Sequence, residues 1–421
     1  MTKQEKAWIM EDWANSAYSI AITTAILPVF FKSVVAKDLS SSLSTAYLGY
    51  SNSIYTAILA ILAPILGAIA DYKGYKKKLF TFFLLIGVFS TGLLSIISQG
   101  NWFLCLAIYA LSAIGFSGSN IFYDAFLVDV TEDSRMDVVS SYGFGLGYIG
   151  STIPFIISIL FISKPSLIGM DTIGATRLSF IITALWWLVF SLPMLKHVDQ
   201  KYYIEPSKTP VKESFRRLYD TFKNAKKNRN VFLFLIAYFF YIDGVSTIIK
   251  MSTAYGMDIG LSSNTLMIIL LVLQIVAFPF AILYGKLAKK FSGKVMILVG
   301  IVVYTIICIY AYFIKTALDY WILAILVGSA QGGIQALSRS FFGKIIPKEK
   351  SSEFFGIYNI FGRFSAIFGP LMMGGISQIT GDSRIGVFSI VALFIIGGLL
   401  FLRVKEEDSS TYHGSSANIN I

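Results

Sequence analysis

The chain has 421 residues, of which 55% are hydrophobic and 14% charged, and its 35 Lys and Arg against 24 Asp and Glu leave a formal net charge of +11. A mean hydropathy of +0.69 excludes a disordered chain and is too high for one or two soluble cores, since an average soluble domain is about 25% charged. Two Cys exclude a disulfide scaffold, and two His argue against a histidine-built metal centre.

A membrane-spanning helix needs about 20 mostly apolar residues, and twelve such runs follow one another. They lie near Trp13 to Val35, Thr45 to Ala70, Leu79 to Ser98, Trp102 to Val130, Val138 to Ile162 and Thr176 to Leu195. After a polar stretch come Val231 to Met251, Thr265 to Ala288, Val295 to Ile314, Tyr320 to Ile346, Phe354 to Ile379 and Ile385 to Leu402. The eleventh run is Gly-rich and the weakest by hydropathy. The first is longer than the apolar core of a signal peptide, about 7–15 residues, so it reads as a retained helix. The fold class expected is therefore an all-α integral membrane protein of twelve helices in two pseudo-symmetric bundles of six.

Most of the basic residues fall in alternate loops: before the first run, at Lys73 and Lys76 to Lys78, between Lys196 and Arg229, at Lys286 to Lys294, and after Arg403. This is the positive-inside bias. It places both termini in the cytoplasm, with the chain in the cell membrane, and explains the net charge without nucleic acid. The six Trp read as interfacial rings at helix ends.

The long polar stretch divides the chain into a bundle over residues 1–195, a linker over 196–230, a second bundle over 231–403 and a disordered cytoplasmic tail over 404–421. Within the linker, Val211, Phe215, Leu218, Phe222 and Ala225 recur at helical spacing among Arg216, Arg217, Lys223 and Lys226. That pattern suits an amphipathic helix on anionic lipid; a regulatory partner site is the alternative. The halves echo each other in Pro64 and Gly67 against Pro279 and Gly285, and in Ser140-Ser141 with Pro154 against Ser351-Ser352 with Pro370. Paired halves around a midplane site mark secondary transporters.

The segment Gly67-Ala-Ile-Ala-Asp71-Tyr-Lys-Gly74-Tyr-Lys-Lys-Lys78 resembles the loop motif between helices two and three of the major facilitator superfamily. Gly67 allows close helix approach, Gly74 allows a tight turn, and Asp71 is favoured at a neighbouring helix N-terminus. The resemblance implies that this Asp latches the two halves on the cytoplasmic side. Further blocks are Glu11-Asp12-Trp13-Ala14-Asn15-Ser16-Ala17-Tyr18, Phe122-Tyr123-Asp124-Ala125, Tyr241-Ile242-Asp243-Gly244-Val245, Gln331 to Ser340, and Glu353 to Asn359. Together they resemble the vacuole-effluxer-like branch of the superfamily, whose bacterial members are called the unknown major facilitator family. Tyr142 departs from it, standing where Arg is usual. The resemblance implies a solute transporter, with amino-acid efflux as the activity linked to its fungal members.

Ionisable groups inside a membrane are costly and are functional candidates by default. At 1.5 Å per residue, Asp243 lies roughly 18 Å and Arg363 roughly 15 Å from the inner face, with Gln331 also near the midplane. The superfamily resemblance makes helices one, four, seven and ten cavity-lining and seven and eleven neighbours. Asp243 and Arg363 are then expected to pair. The pair is either a static tie, a receptor that opens for a zwitterion, or a seat for a coupling proton. Tyr241, Asn120 and Tyr123 complete the expected substrate and coupling site. An inner gate is expected from Asp71, Gly74, Asp124, Arg339, Gln335 and Asn15. Asp124 and Arg339 meet if both helix faces point inward, although Arg339 also fits the positive-inside bias. Lys250, near the outer end, is expected to snorkel.

No P-loop, His-Glu-x-x-His or nucleophile–His constellation occurs in the sequence, so enzymatic chemistry is not expected. The reading is a secondary transporter that works by alternating access. It moves a small polar solute, amino acids among the candidates, with export favoured. Its rivals are an exporter of amphiphilic drugs or lipids and a non-transporting sensor on a transporter fold. The expected partners are a small-molecule substrate, the lipid bilayer and a coupling H+ or Na+. No cofactor, metal or nucleic acid is expected, and the chain is expected to be a monomer.

Overall fold

Thr2 starts the first helix earlier than hydropathy alone places it. Its side chain accepts the Glu5 N–H while the Glu5 carboxylate accepts the Thr2 N–H, a reciprocal cap that satisfies two orphan donors. The computed structural model describes residues 1–205, 210–223, 228–258 and 260–406. Twelve helices there are long and apolar enough to cross a membrane. They are helix one (Lys3–Val35), two (Ala46–Ala70), three (Tyr75–Ile96), four (Trp102–Val130), five (Asp133–Ser163) and six (Thr172–His197). A linker helix follows (Pro210–Lys223), then seven (Arg229–Ser252), eight (Ile268–Phe291), nine (Gly293–Tyr312), ten (Ala317–Ile345), eleven (Lys348–Thr380) and twelve (Ser383–Leu402). Helix eleven has the lowest mean hydropathy, 1.2, as its glycines lead one to expect. The expected tail lies outside the described residues from 407 onward.

The two sets of six helices meet along two seams, helix two against eleven and helix five against eight, with helix ten also packed on five. Gly67 shows why the first seam closes so tightly: a Cβ there would strike the Ser352 carbonyl. Helix one is irregular. It widens into π-helix at Ser19–Ala25 and again at Phe31–Val35. Pro28 between them lacks the N–H that would reach back to Thr24. Local π adjustments of this kind re-satisfy the backbone groups that a proline frees inside a membrane helix.

The linker helix does not present the expected stripe to lipid alone. Ser214, Leu218 and Thr221 form its buried face, while Phe215 and Tyr219 point outward. It packs on helix two, tethered by Arg217 to the Ala68 carbonyl and by Thr221 to Glu353 Oε1 at 2.6 Å. The side chains of Val211 and Phe222, and Ala225 as a whole, fall outside the described residues. Trp8 and Trp187 are fully buried, so these two rings serve the bundle interior rather than an interface. Trp187 donates to Glu11 at 3.3 Å.

Candidate functional site

Polar contacts close the bundle at the end where the linker lies. Arg339 on helix ten is their centre and is almost wholly buried. Its Nη2 donates to Asp12 Oδ2 of helix one at 2.9 Å and to the Ser140 carbonyl of helix five at 3.2 Å. Its Nη1 donates to Asp124 Oδ1 of helix four at 3.2 Å, and its Nε to Ser140 Oγ at 3.0 Å. The guanidinium also lies over the rings of Trp8, Tyr123 and Phe144, an arrangement that suits a planar delocalised cation better than an ammonium. Asn359 of helix eleven donates to the second Asp124 oxygen at 3.2 Å. One side chain thus ties helix ten to helices one, four and five of the other half.

Nearer the linker a second layer follows. Asp137 of helix five accepts from Ser340 at 2.6 Å and from Lys344 at 2.5 Å, both on helix ten. Asp71 accepts the N–H groups of Ser352 and Glu353 at 2.8 and 3.1 Å, so its carboxylate caps the N-terminus of helix eleven, where negative charge is favoured. Burial pushes the Asp71 carboxyl up to about 7; the Lys76 charge and the Ser352 donor pull against that, and Glu353 adds to it. Lys76 is itself buried against Asp129 at 2.7 Å and Ser351 Oγ at 2.9 Å. Gly74 takes the left-handed conformation at φ 78° that starts helix three, and its N–H donates to Gln200 of the linker.

The half of the bundle remote from the linker is hollow. A cavity of about 1100 Å³ lies between the two sets of six helices. Helix one lines it with Ser16, Ser19, Thr23 and Thr24, so the first π-helical segment faces it. Helix two adds Asn52 and Tyr55. From the other half come Lys250, Gln274, Gln331, Gln335 and Arg363.

The model of the "Vacuole effluxer Atg22 like" family matches residues 40–134 and 128–412. The chain belongs to that family. It is 57% identical to the uncharacterized MFS-type transporter YxiO of Bacillus subtilis (strain 168), over 97% of this chain and 96% of that one. It is 27% identical to autophagy-related protein 22 of Vanderwaltozyma polyspora, over 87% and 80% of the two chains. Among solved structures it resembles the human organic anion transporter MFSD10 (TM-score 0.72, 12% identity, 95% and 100% covered) and FucP in the outward conformation (TM-score 0.72, 12% identity, 96% and 100% covered). The fold is that of the major facilitator superfamily, and the chain is an MFS-type, multi-pass membrane transporter.

Within the transporter the expected residues separate into three groups. Asp71, Gly74, Asp124 and Arg339 lie at the linker end, and Asp124 meets Arg339 there. Gln331 and Arg363 line the cavity. Gln335, expected at the gate, lines the cavity as well and donates to the Gln331 carbonyl at 3.1 Å. The remaining expectations are corrected. Asn15 donates to Asn120 at 2.8 Å, a contact between helices one and four of the same half, and Asn120 is not among the residues that line the cavity. Tyr123 stacks on Trp8, and Tyr241 shares a hydrogen bond with Ser338 at 2.7 Å. Neither lines the cavity.

Asp243 does not pair with Arg363. Its Oδ1 accepts the Gly369 N–H at 2.9 Å and the Thr247 hydroxyl at 3.5 Å. Gly369 lies six residues beyond Arg363, which turns it about 120° around helix eleven. Arg363 therefore faces the cavity while Asp243 faces the seam between helices seven and eleven. Lys250 is exposed and lines the cavity, and lies within electrostatic reach of both Asp243 and Arg363. Sequence reasoning assigned no role at the closure to Asp12, Ser140 or Asn359, although all three sit inside segments it quoted. The π-helical wall carried no signal beyond Pro28 and a run of small hydroxyl residues.

Proposed function

We propose that this transporter moves a small polar solute across the cell membrane by alternating access, with its termini and linker in the cytoplasm and efflux as its direction. One observation carries the reading: hydrogen-bonding groups from both halves line a cavity in one end of the bundle, while charged contacts between the halves close the other. In alternating access the closed end opens as the hollow end shuts. The closure suits this, because opening the end rehydrates both partners of each charged contact, and the desolvation penalty that is recovered offsets much of the attraction that is lost. The basic loops support the cytoplasmic assignment of the linker end. Efflux is carried over from the family description. Uphill movement by a chain without a nucleotide-binding motif draws on an ion gradient, for which H+ or Na+ are the candidates.

Reconstitution tests the reading. Proteoliposomes loaded with unlabelled solute should accumulate the labelled form by counterflow, and Arg339→Ala should cut that flux at least tenfold. Flux equal to protein-free vesicles for every solute tried would refute transport. Solute binding without flux would favour the sensor.

A further inference from the structure

At the linker end, the start of helix three and the segment that enters the linker enclose a groove of about 670 Å³. It shares no residue with the cavity. Its polar part holds Lys73, Lys77 and Lys78 against one carboxylate, Asp199. Lys77 pairs with Asp199 at 2.8 Å, with the two side chains 32% and 74% exposed, and so open a pair is worth little. Lys73 lies over the Tyr203 ring and Lys78 over the Tyr75 ring. An ammonium carries three donors, so each lysine can still meet a further acceptor. The groove therefore sets three cations against one anion. Lys3 and Lys196 strengthen the field, since both, with Lys77, lie within electrostatic reach of His197.

The walls are held by hydrogen bonds of their own. The Gly74 N–H donates to Gln200 Oε1 at 2.9 Å, Gln200 Nε2 to the Ala70 carbonyl at 3.1 Å, and the Lys73 N–H to the Ile204 carbonyl at 3.1 Å. These contacts fix the segment 199–204 beside the start of helix three, so the cationic part is preformed. Tyr203 brings a hydroxyl to the same space.

The other part is hydrocarbon. Phe82 and Leu85 line the groove, and with Phe89 they stand exposed at i, i+3 and i+7, on one face of helix three. Lys78 directly precedes the apolar run that opens at Leu79, which puts the lysines at the membrane surface. Phe82 lies one turn further in, about 6 Å along the axis. A soluble anion would engage the lysines and leave the aromatic face unused, whereas a phospholipid engages both. Basic clusters at a membrane surface attract anionic headgroups, and this cluster continues directly onto an apolar face.

We infer that the groove binds an anionic phospholipid of the adjoining leaflet. Its phosphate is held among Lys73, Lys77 and Lys78, and one acyl chain lies along Phe82, Leu85 and Phe89. Net negative charge is what the site selects, because a zwitterionic headgroup brings a cation of its own to the lysines. The site stands whatever solute the cavity carries.

Native mass spectrometry of the purified full chain in detergent tests it. The probes are dioleoyl phosphatidylglycerol, dioleoyl phosphatidylcholine and glycerol 3-phosphate. The two lipids share their chains and differ in charge, and the third probe carries the phosphate without chains. Phosphatidylglycerol should bind at least tenfold more tightly than either of the others. The double variant Lys77→Gln with Lys78→Gln should weaken it at least tenfold, and Phe82→Ser should weaken it less. Asp199→Asn removes the opposing carboxylate and should tighten it, a gain that no folding defect produces. Lys289→Gln with Lys290→Gln, at exposed positions on helix eight outside the groove, should leave it unchanged. The inference is overturned if the two lipids bind equally, or if the Lys77 and Lys78 variant binds phosphatidylglycerol unchanged. An equal loss in the Lys289 and Lys290 variant would show attraction to the whole basic face and would also overturn it. Glycerol 3-phosphate binding as tightly as phosphatidylglycerol would make the groove a soluble-anion site and overturn the lipid assignment.

Discussion

Arg339 Nη2 lies 2.9 Å from Asp12 Oδ2, joining helix ten to helix one across the divide between the two halves. The same guanidinium reaches Asp124 at 3.2 Å. Two carboxylates from one half thus converge on one cation from the other, and all three groups are at least nearly buried. The cluster contributes to the shape of the transporter because its members satisfy one another; removing one leaves the others costly.

Arg339→Ala strands Asp12 and Asp124. An uncompensated buried charge costs about 3–5 kcal/mol, and opening the linker end to water relieves it. A reporter cysteine at Ser141, buried on helix five at this level, should react with a water-soluble maleimide at least tenfold faster in Arg339→Ala than in the parent. Arg339→Lys should not restore protection, since an ammonium cannot serve two carboxylates and the Ser140 carbonyl in fork geometry. Equal labelling rates in all three would show that Arg339 does not hold this end shut.

Asp71 gives the closure a pH dependence of definite sign. Its carboxyl is raised to about 7 where it caps helix eleven, chiefly by burial, whereas in an opened, water-filled linker end it returns toward the ordinary value near 3.9. The closed state therefore holds the proton more tightly, and closure strengthens as pH falls from about 7 toward 4. Above about 7 the contribution is flat, because the group is ionised in both states. The maleimide rate at Ser141→Cys, corrected for thiol ionisation, should fall with pH over that window. Asp71→Asn should remove that slope, and an unchanged slope in the variant would assign it to another group.

Asp243 is a tie between helices seven and eleven and not a cavity group. Asp243→Asn keeps an acceptor for the Gly369 N–H, so its melting temperature and the half-saturation of counterflow for whichever solute exchanges should stay close to the parent's. Asp243→Leu orphans that buried donor, which costs about 1–3 kcal/mol, and should lower the melting temperature while leaving half-saturation unchanged. Abolition of pH-dependent uptake in Asp243→Asn would return this residue to proton carriage.

Much of this architecture is legible in the sequence. Hydropathy alone finds all twelve spans, because each must satisfy its backbone internally and show apolar groups to lipid. The Asp71 motif places a carboxylate at a helix N-terminus without reference to coordinates, and the helical face shared by Gln331, Gln335 and Arg339 puts the last of these within reach of Asp124. Rotational setting is where sequence reasoning fails. Depth along a helix follows from counting residues, but which way a side chain points depends on the neighbouring helix. Asp243 and Arg363 have matching depths and different faces. Asn120 and Asn15 satisfy each other across helices one and four, a pairing that spacing within either helix cannot reveal. The π-helical turns of helix one have no sequence marker beyond Pro28 and the small hydroxyl residues before it.

The central claim is that the linker end and the remote end are alternately closed, with the Arg339 cluster holding the first of them. Pulsed electron paramagnetic resonance measures it directly, on a chain with Cys105 and Cys308 replaced by Ser. One spin-label pair at exposed Ser134 and Lys290 spans the linker end, and another at exposed Ser166 and Lys315 spans the remote end. The account predicts that Arg339→Ala lengthens the linker-end distance and shortens the remote-end distance together. Distances that stay fixed, or that lengthen at both ends, would contradict it.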